Sequence, residues 1–179
     1  MVAQVVAVHV SGVHEFSKQP AASIVLDEGL GVRGDAHYGV TVQHRSRVAR
    51  DPSEPNLRQV HLIPVEVLEE LGRAGYDVAP GDLGENITTR GVALLDLPVG
   101  TRLTIAEATV TVMGLRNPCR QIEDFRPGLL KRLVRTTPDG QVERLAGVMG
   151  VVSRGGTVSD GDPIAVQPPP GPAMPLTRV

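Results

Sequence analysis

The chain has 179 residues, a formal charge of −2, 2% aromatic residues, 20 glycines, 15 prolines and one cysteine. A single thiol excludes an intramolecular disulfide, no stretch approaches the run of roughly 20 apolar residues that spans a bilayer, and no basic-then-apolar leader opens the chain, so the expected compartment is the cytosol with no membrane partner. Without a basic run or a set of aromatic rings there is neither a phosphate-tracking patch nor a stacking platform, and nucleic acid is excluded as an expected partner.

The length fits one domain that buries its own core. Glycine and proline at this density, in a chain rich in Val and Thr, indicate many short strands joined by tight turns. The expectation is a mainly β, barrel-like domain with a few short helices over residues 1–166, followed by a proline-rich tail over 167–179 that is extended and loose.

Val2 to Val10 is a β-branched apolar run, read as a strand buried on both faces. His14 to Pro20 is a polar loop, and Ala22 to Leu26 a second strand closed by Asp27, Glu28 and Gly29. In Gly31-Val32-Arg33-Gly34-Asp35-Ala36-His37-Tyr38-Gly39 the glycines free the backbone around Asp35 and His37. Such a segment brings polar side chains to a ligand, or is simply a turn. Thr41 to Arg58 holds Arg45, Arg47, Arg50 and Arg58 with no apolar period; it reads either as a guanidinium fork for phosphate or carboxylate, or as a solvated mobile loop.

Arg58 to Ile63 reads as a strand that carries His61 close to the core, as a satisfied structural residue or as a ligand. Pro64 starts a helix with Val65, Leu68 and Leu71 on one face, stopped by Gly72 and Gly75. Between Pro80 and Gly91, glycines punctuate the donors and acceptors Asn86, Thr88, Thr89 and Arg90. Phosphate-loop and dinucleotide-binding spacings are both missing. Gly100 to Ile105 is a strand, and Thr109 to Met113 alternates cleanly as another.

That strand delivers the chain to Arg116-Asn117-Pro118-Cys119-Arg120. Pro118 suits the first position of a helix running towards Ile122 and Phe125. A thiol there, between two guanidinium groups, is favoured as thiolate, so Cys119 reads as a nucleophile or metal ligand; the other reading is a small buried hydrophobe. A further helix from Pro127 carries Leu129, Leu130, Leu133 and Val134. Val148 to Val152 and Ile164 to Val166 are strands, with turns at Pro138-Asp139-Gly140, Arg154-Gly155-Gly156 and Asp160-Gly161-Asp162.

Taken in order, Arg33 to Gly39, Arg58 to Ile63, Gly81 to Ile87, Asn117-Pro118-Cys119 and Gly161-Asp162 resemble the MOSC family, named for the C-terminal domain of molybdenum-cofactor sulfurases, and the likeness runs from about residue 2 to 166 in its stand-alone bacterial form. What the resemblance implies is a β-barrel-like domain that binds molybdenum cofactor (molybdopterin) and reduces N-hydroxylated compounds, with Cys119 as molybdenum ligand; the alternative is a sulfur carrier with a persulfide on Cys119. Implied for the cofactor's anionic end are Arg58, Asn86, Thr88, Arg90, Asn117, Arg116 and Arg154, and for proton supply His37 or Glu85. The implied partners are a small-molecule substrate and a cysteine desulfurase or electron-donor protein. No lysine-centred pyridoxal phosphate site like that of the sulfurases is visible, so the desulfurase is expected to be a partner. A hydrolytic Cys-His pair using His37 or His61 is the remaining rival.

Overall fold

A computed structural model describes residues 2–179. β1 (Gln4–Val10) leads through an exposed loop to β2 (Gln19–Ala21), then to β3 (Ser23–Asp27) and β4 (Gly31–Val32). β2 falls at the end of the segment read as loop, and it tolerates Pro20 because it lies at a sheet edge, where a missing amide donor breaks no ladder. The arginine-rich segment is not wholly irregular: it forms a short exposed helix, α1 (Arg45–Val48), on an excursion whose neck closes where Thr41 bridges Pro55.

β5 (Val60–Pro64) is buried along its length and runs straight into α2 (Val65–Arg73), with Pro64 as N-cap. The alternation of β5 explains its complete burial: Val60 and Leu62 enter one core, Ile63 the other. β6 (Ile87–Arg90), β7 (Arg102–Ile105) and β8 (Ala108–Leu115) follow, then α3 (Arg120–Phe125), α4 (Leu129–Leu133) and a small hairpin of β9 (Val134–Thr136) and β10 (Val142–Arg144). β11 (Val148–Arg154), β12 (Gly156–Ser159) and β13 (Ile164–Gln167) complete the chain.

The main sheet has eight strands in the order β13-β7-β8-β11-β5-β6-β1-β2, with β5 and β6 its parallel pair, joined through α2. β12, β3 and β4 form a second sheet. The first core, including Leu26, Leu62, Ile87, Leu103, Val110 and Val158, fills the space between the two sheets, and the second joins Ile63 to Leu68, Ile122, Leu129 and Leu133 of the helices. The architecture is mainly β, as the composition implied, but the sheets are open. A partial closure exists where Gln4 bridges Pro163 and the amide of Ile164 donates to Ala3 O at 2.9 Å, bringing β1 back towards the β13 edge.

The tail departs from the loose segment expected. Leu115 N donates to Thr177 O at 2.8 Å, Val179 N donates to Leu115 O at 3.3 Å, and Leu176 packs against the first core. Prolines hide this from a reading of pattern because they remove donors, yet the end of β8 offers backbone groups that Thr177 and Val179 satisfy. Gly114 makes room for the strap: a Cβ there would stand 2.5 Å from Thr177 O.

Candidate functional site

The end of β8 and the start of β11 converge with three loops on a cavity of about 470 Å³. Its lining includes Cys119, Arg116, Asn117, Arg58, Asn86 and His37 of the residues read from sequence, and also His61. The local chain path at the thiol differs from expectation. α3 begins at Arg120, so Cys119 itself is the N-cap, in extended conformation, and Pro118 lies one residue outside the helix. The thiol is half-buried and its Sγ donates to Gln121 Oε1 at 3.4 Å.

Arg116 is only 8% exposed, and its Nη1 has no hydrogen-bond partner. Its guanidinium lies 5.8 Å from the centre of the Phe16 ring. Burial lowers its pKa, against the pull of Cys119 and Glu85. Arg58 is taken down to about 10, by burial first and then by repulsion from Arg47 and Arg116. It donates to Val179 O at 3.2 Å. A cation held dry without an acceptor is unfavourable, so Arg116, with Arg58 beside it on the lining, defines a place where an anion belongs.

Behind the cavity Asp35 acts as a hub. Its carboxylate accepts from Lys18 Nζ, from Asn86 Nδ2 at 2.9 Å and from the His37 backbone amide at 3.0 Å, with His37 Nδ1 at 3.2 Å. Burial alone would raise the carboxyl, but the His37 hydrogen bonds and the Lys18 charge outweigh it and hold the group well below its ordinary range. Burial lowers Lys18 by more than Asp35 restores. Because a carboxylate only accepts, His37 carries its proton on Nδ1 and has Nε2 free.

His61 closes the inner wall. Its Nε2 lies 2.7 Å from Ala146 O, and burial, then Arg116, holds it well below 6.5. Below pH 6.5 the unfolded chain therefore takes up a proton that folded His61 refuses, so stability falls as the pH drops. His61→Gln is expected to flatten the urea-unfolding free energy between about pH 7 and 5 by up to about 1.4 kcal/mol per pH unit. An unchanged slope would show that His61 is charged in the native state.

Four residues named from sequence do not line the cavity. Glu85 is fully buried, its Oε1 accepting from Gly81 N at 2.6 Å and from Thr88 Oγ1 at 3.1 Å, while burial raises its pKa. Thr88 is thereby consumed by Glu85. Arg90 pairs with Glu69 of α2 at 2.7 Å. Arg154 ends β11 five residues beyond Met149 of the lining, roughly 16 Å away at about 3.3 Å per residue. Conversely, His14, Lys18 and His44 line the cavity and were not picked out. Four of the five histidines gather here, a convergence of loops that spacing along the chain cannot encode.

A mainly β domain that carries a half-buried cysteine just beyond the end of a strand, beside one buried arginine with an unpartnered nitrogen, defines a thiol site built to face an anion. The chain belongs to the MOSC domain family, whose model matches residues 35–165. Among solved structures it is similar to the YuaD protein from Bacillus subtilis, with 24% identity, 93% of this chain and 96% of that one covered, and a TM-score of 0.72. It is also similar to YiiM from Geobacillus stearothermophilus (20% identity, 92% and 75% covered, TM-score 0.63) and YiiM from Escherichia coli (20% identity, 97% and 73% covered, TM-score 0.62). At these identities the likeness concerns the fold. No curated protein matches the chain. No helix among the described residues is long and apolar enough to cross a membrane.

Proposed function

We propose that this protein binds molybdenum cofactor in the cavity and reduces N-hydroxylated small molecules, with Cys119 as the protein ligand to molybdenum. The observation that carries this reading is Arg116, buried and lacking an acceptor beside the chain's one thiol. The residues fit such a group. Among the described residues no set of three or more His, Cys, Asp or Glu side chains is arranged to hold a metal, so a metal here would bring ligands of its own, and a thiolate is a soft donor that molybdenum accepts. Arg116 and Arg58 would neutralise an anionic end, and Asn86 and Asn117 would orient it.

When bound, the cofactor supplies two-electron chemistry at its metal. The chain's own part is to position and to move protons. Asp35 orients His37 through Nδ1, and the free Nε2 would relay a proton taken up from water to the hydroxyl oxygen that leaves as water, the second proton of the two-electron reduction coming from solvent. Glu85, sealed beneath the wall, is no direct donor; it balances Lys18 and Arg116. Electrons come from a donor protein.

The test is metal analysis of protein made in cells that synthesise molybdopterin. Stoichiometric molybdenum is expected in the wild type, none in Cys119→Ser, and an intermediate amount in Arg116→Leu. A metal-free wild type that gains the mass of one sulfur from a cysteine desulfurase and cysteine would replace this reading with that of a persulfide carrier.

A further inference from the structure

Five cationic side chains line the cavity, Lys18, Arg45, Arg47, Arg58 and Arg116, against one carboxylate, Glu15, in a chain whose formal charge is −2. Two are answered from behind, Lys18 by Asp35 and Arg47 by Glu54 at 2.8 Å. Among the described residues Arg45, Arg58 and Arg116 form no ion pair. Concentrating one sign in a cleft with low-dielectric walls focuses its field on the opposite sign.

At the mouth three histidines meet from three segments. His14 comes from the loop after β1, His37 from the loop after β4, and His44 from the excursion that carries α1. The His14 and His37 rings stand edge to face with centres 5.4 Å apart, and His37 stacks on His44 at 6.4 Å. Exposure increases outwards, from buried Arg116 to exposed His14 and Arg45. The mouth is therefore a second group of donors, distinct from the arginines beside Cys119.

We propose that this mouth is a substrate subsite built on His14, His37, His44 and Arg45, that it takes a phosphate-bearing molecule, and that it takes up protons as it binds. This substrate class rests on reading the cavity as an active site. Phosphate is favoured over carboxylate because three imidazoles and a guanidinium offer more donors than two carboxylate oxygens can use, and a phosphate monoester presents three oxygens with nearly two charges.

The proton uptake follows from the neighbours. Burial, then His37 and Arg45, lowers His14, with Asp35 opposing and Lys18 adding to the fall; burial, then Arg58, His37 and Arg47, lowers His44. Glu15 is the one carboxylate on the lining, and Cys119 lies on the inner side. A dianion set among these rings reverses the local field at His14 and His44, and those two imidazoles take up protons. Guanidinium does not titrate in this range, so anion binding by the inner arginines alone is independent of pH.

Sulfate titration of the full chain by calorimetry, followed between about pH 7.5 and 5.5, reads the subsite, since sulfate is a tetrahedral dianion with no proton of its own to gain there. Affinity is expected to rise by up to tenfold per pH unit for each proton taken up. His14→Gln with His44→Gln should flatten that rise, and Arg45→Gln should weaken binding at both ends while keeping it. All three sites are at the rim, and unchanged circular dichroism would certify folding. Succinate should bind at least tenfold more weakly than sulfate. A pH-independent sulfate affinity, wild-type binding by the double histidine variant, or equal binding of succinate would overturn the assignment. Proton-linked sulfate binding by a chain that retains no molybdenum would leave the subsite standing while the cofactor reading failed.

Discussion

Asp35→Ala is expected to lower the unfolding free energy by about 3–5 kcal/mol at pH 7, the cost of removing one partner from a buried ion pair. The carboxylate side chain is wholly buried and that of Lys18 only 6% exposed. Truncation leaves the ammonium without its counter-charge, strips the His37 amide of its acceptor, and leaves Asn86 Nδ2 with His9 O alone. Asp35→Asn keeps the shape and one accepting oxygen, so it should cost roughly half as much. The pH dependence identifies the mechanism. The folded carboxyl binds a proton less readily than the unfolded one at 3.8, so its contribution is complete above that value and is lost as the pH falls below it. Urea denaturation of wild type and Asp35→Asn at pH 7 and pH 3 checks both statements. If Asp35→Ala stays within about 1 kcal/mol of wild type, the hub is not what joins these loops. The same substitutions should alter His37, whose ring tautomer can be read from nitrogen chemical shifts.

The strand leading to Cys119 was legible because alternation over Thr109 to Met113 fixes a direction, and direction fixes where the next residues emerge. The glycine-rich segments were also legible, since only special backbone needs such residues. What pattern could not supply is which side of a wall a residue occupies. Glu85 and Asn86 are neighbours in one motif, yet Asn86 lines the cavity and Glu85 is sealed beneath it. Arg154-Gly155-Gly156 reads as a turn as suitable as any other, but Arg154 is the last residue of β11, which starts at the site and carries it away. His14 and His44 gave no periodic signal, because their partnership arises where two loops and an excursion meet around His37. The open sheet was likewise beyond reach, since strand count and turn residues are the same for an open sheet and a closed barrel. The tail was misjudged for a local reason: its prolines conceal the two residues that pair with Leu115.

Gly147→Ala should unfold the protein most sharply of any single methyl addition near the site. Gly147 joins the second core to β11 with φ at +89°, a conformation that costs a side-chain-bearing residue about 1–2 kcal/mol. An added Cβ would also penetrate the carbonyl oxygen of Leu62 and stand 3.0 Å from His61 Nε2. Neither neighbour can yield: Leu62 is fixed by pairing in β5, and His61 is held at Ala146 O. Overpacking against fixed atoms adds about 1–3 kcal/mol, for a total near 3 kcal/mol and a melting temperature lower by roughly 6–12 °C. Gly161→Ala separates the two contributions, because Gly161 also has positive φ, at +83°, but an added Cβ meets nothing within 4 Å. It should lose only the conformational part. Since Gly147 O accepts from Arg116 N at 3.0 Å, displacement here also moves the buried guanidinium. Gly147→Ala protein that remains folded at low temperature should therefore hold less molybdenum than Gly161→Ala protein. A melting shift for Gly147→Ala no larger than that for Gly161→Ala would show that the β5 backbone gives way, and that the inner wall is softer than its packing implies.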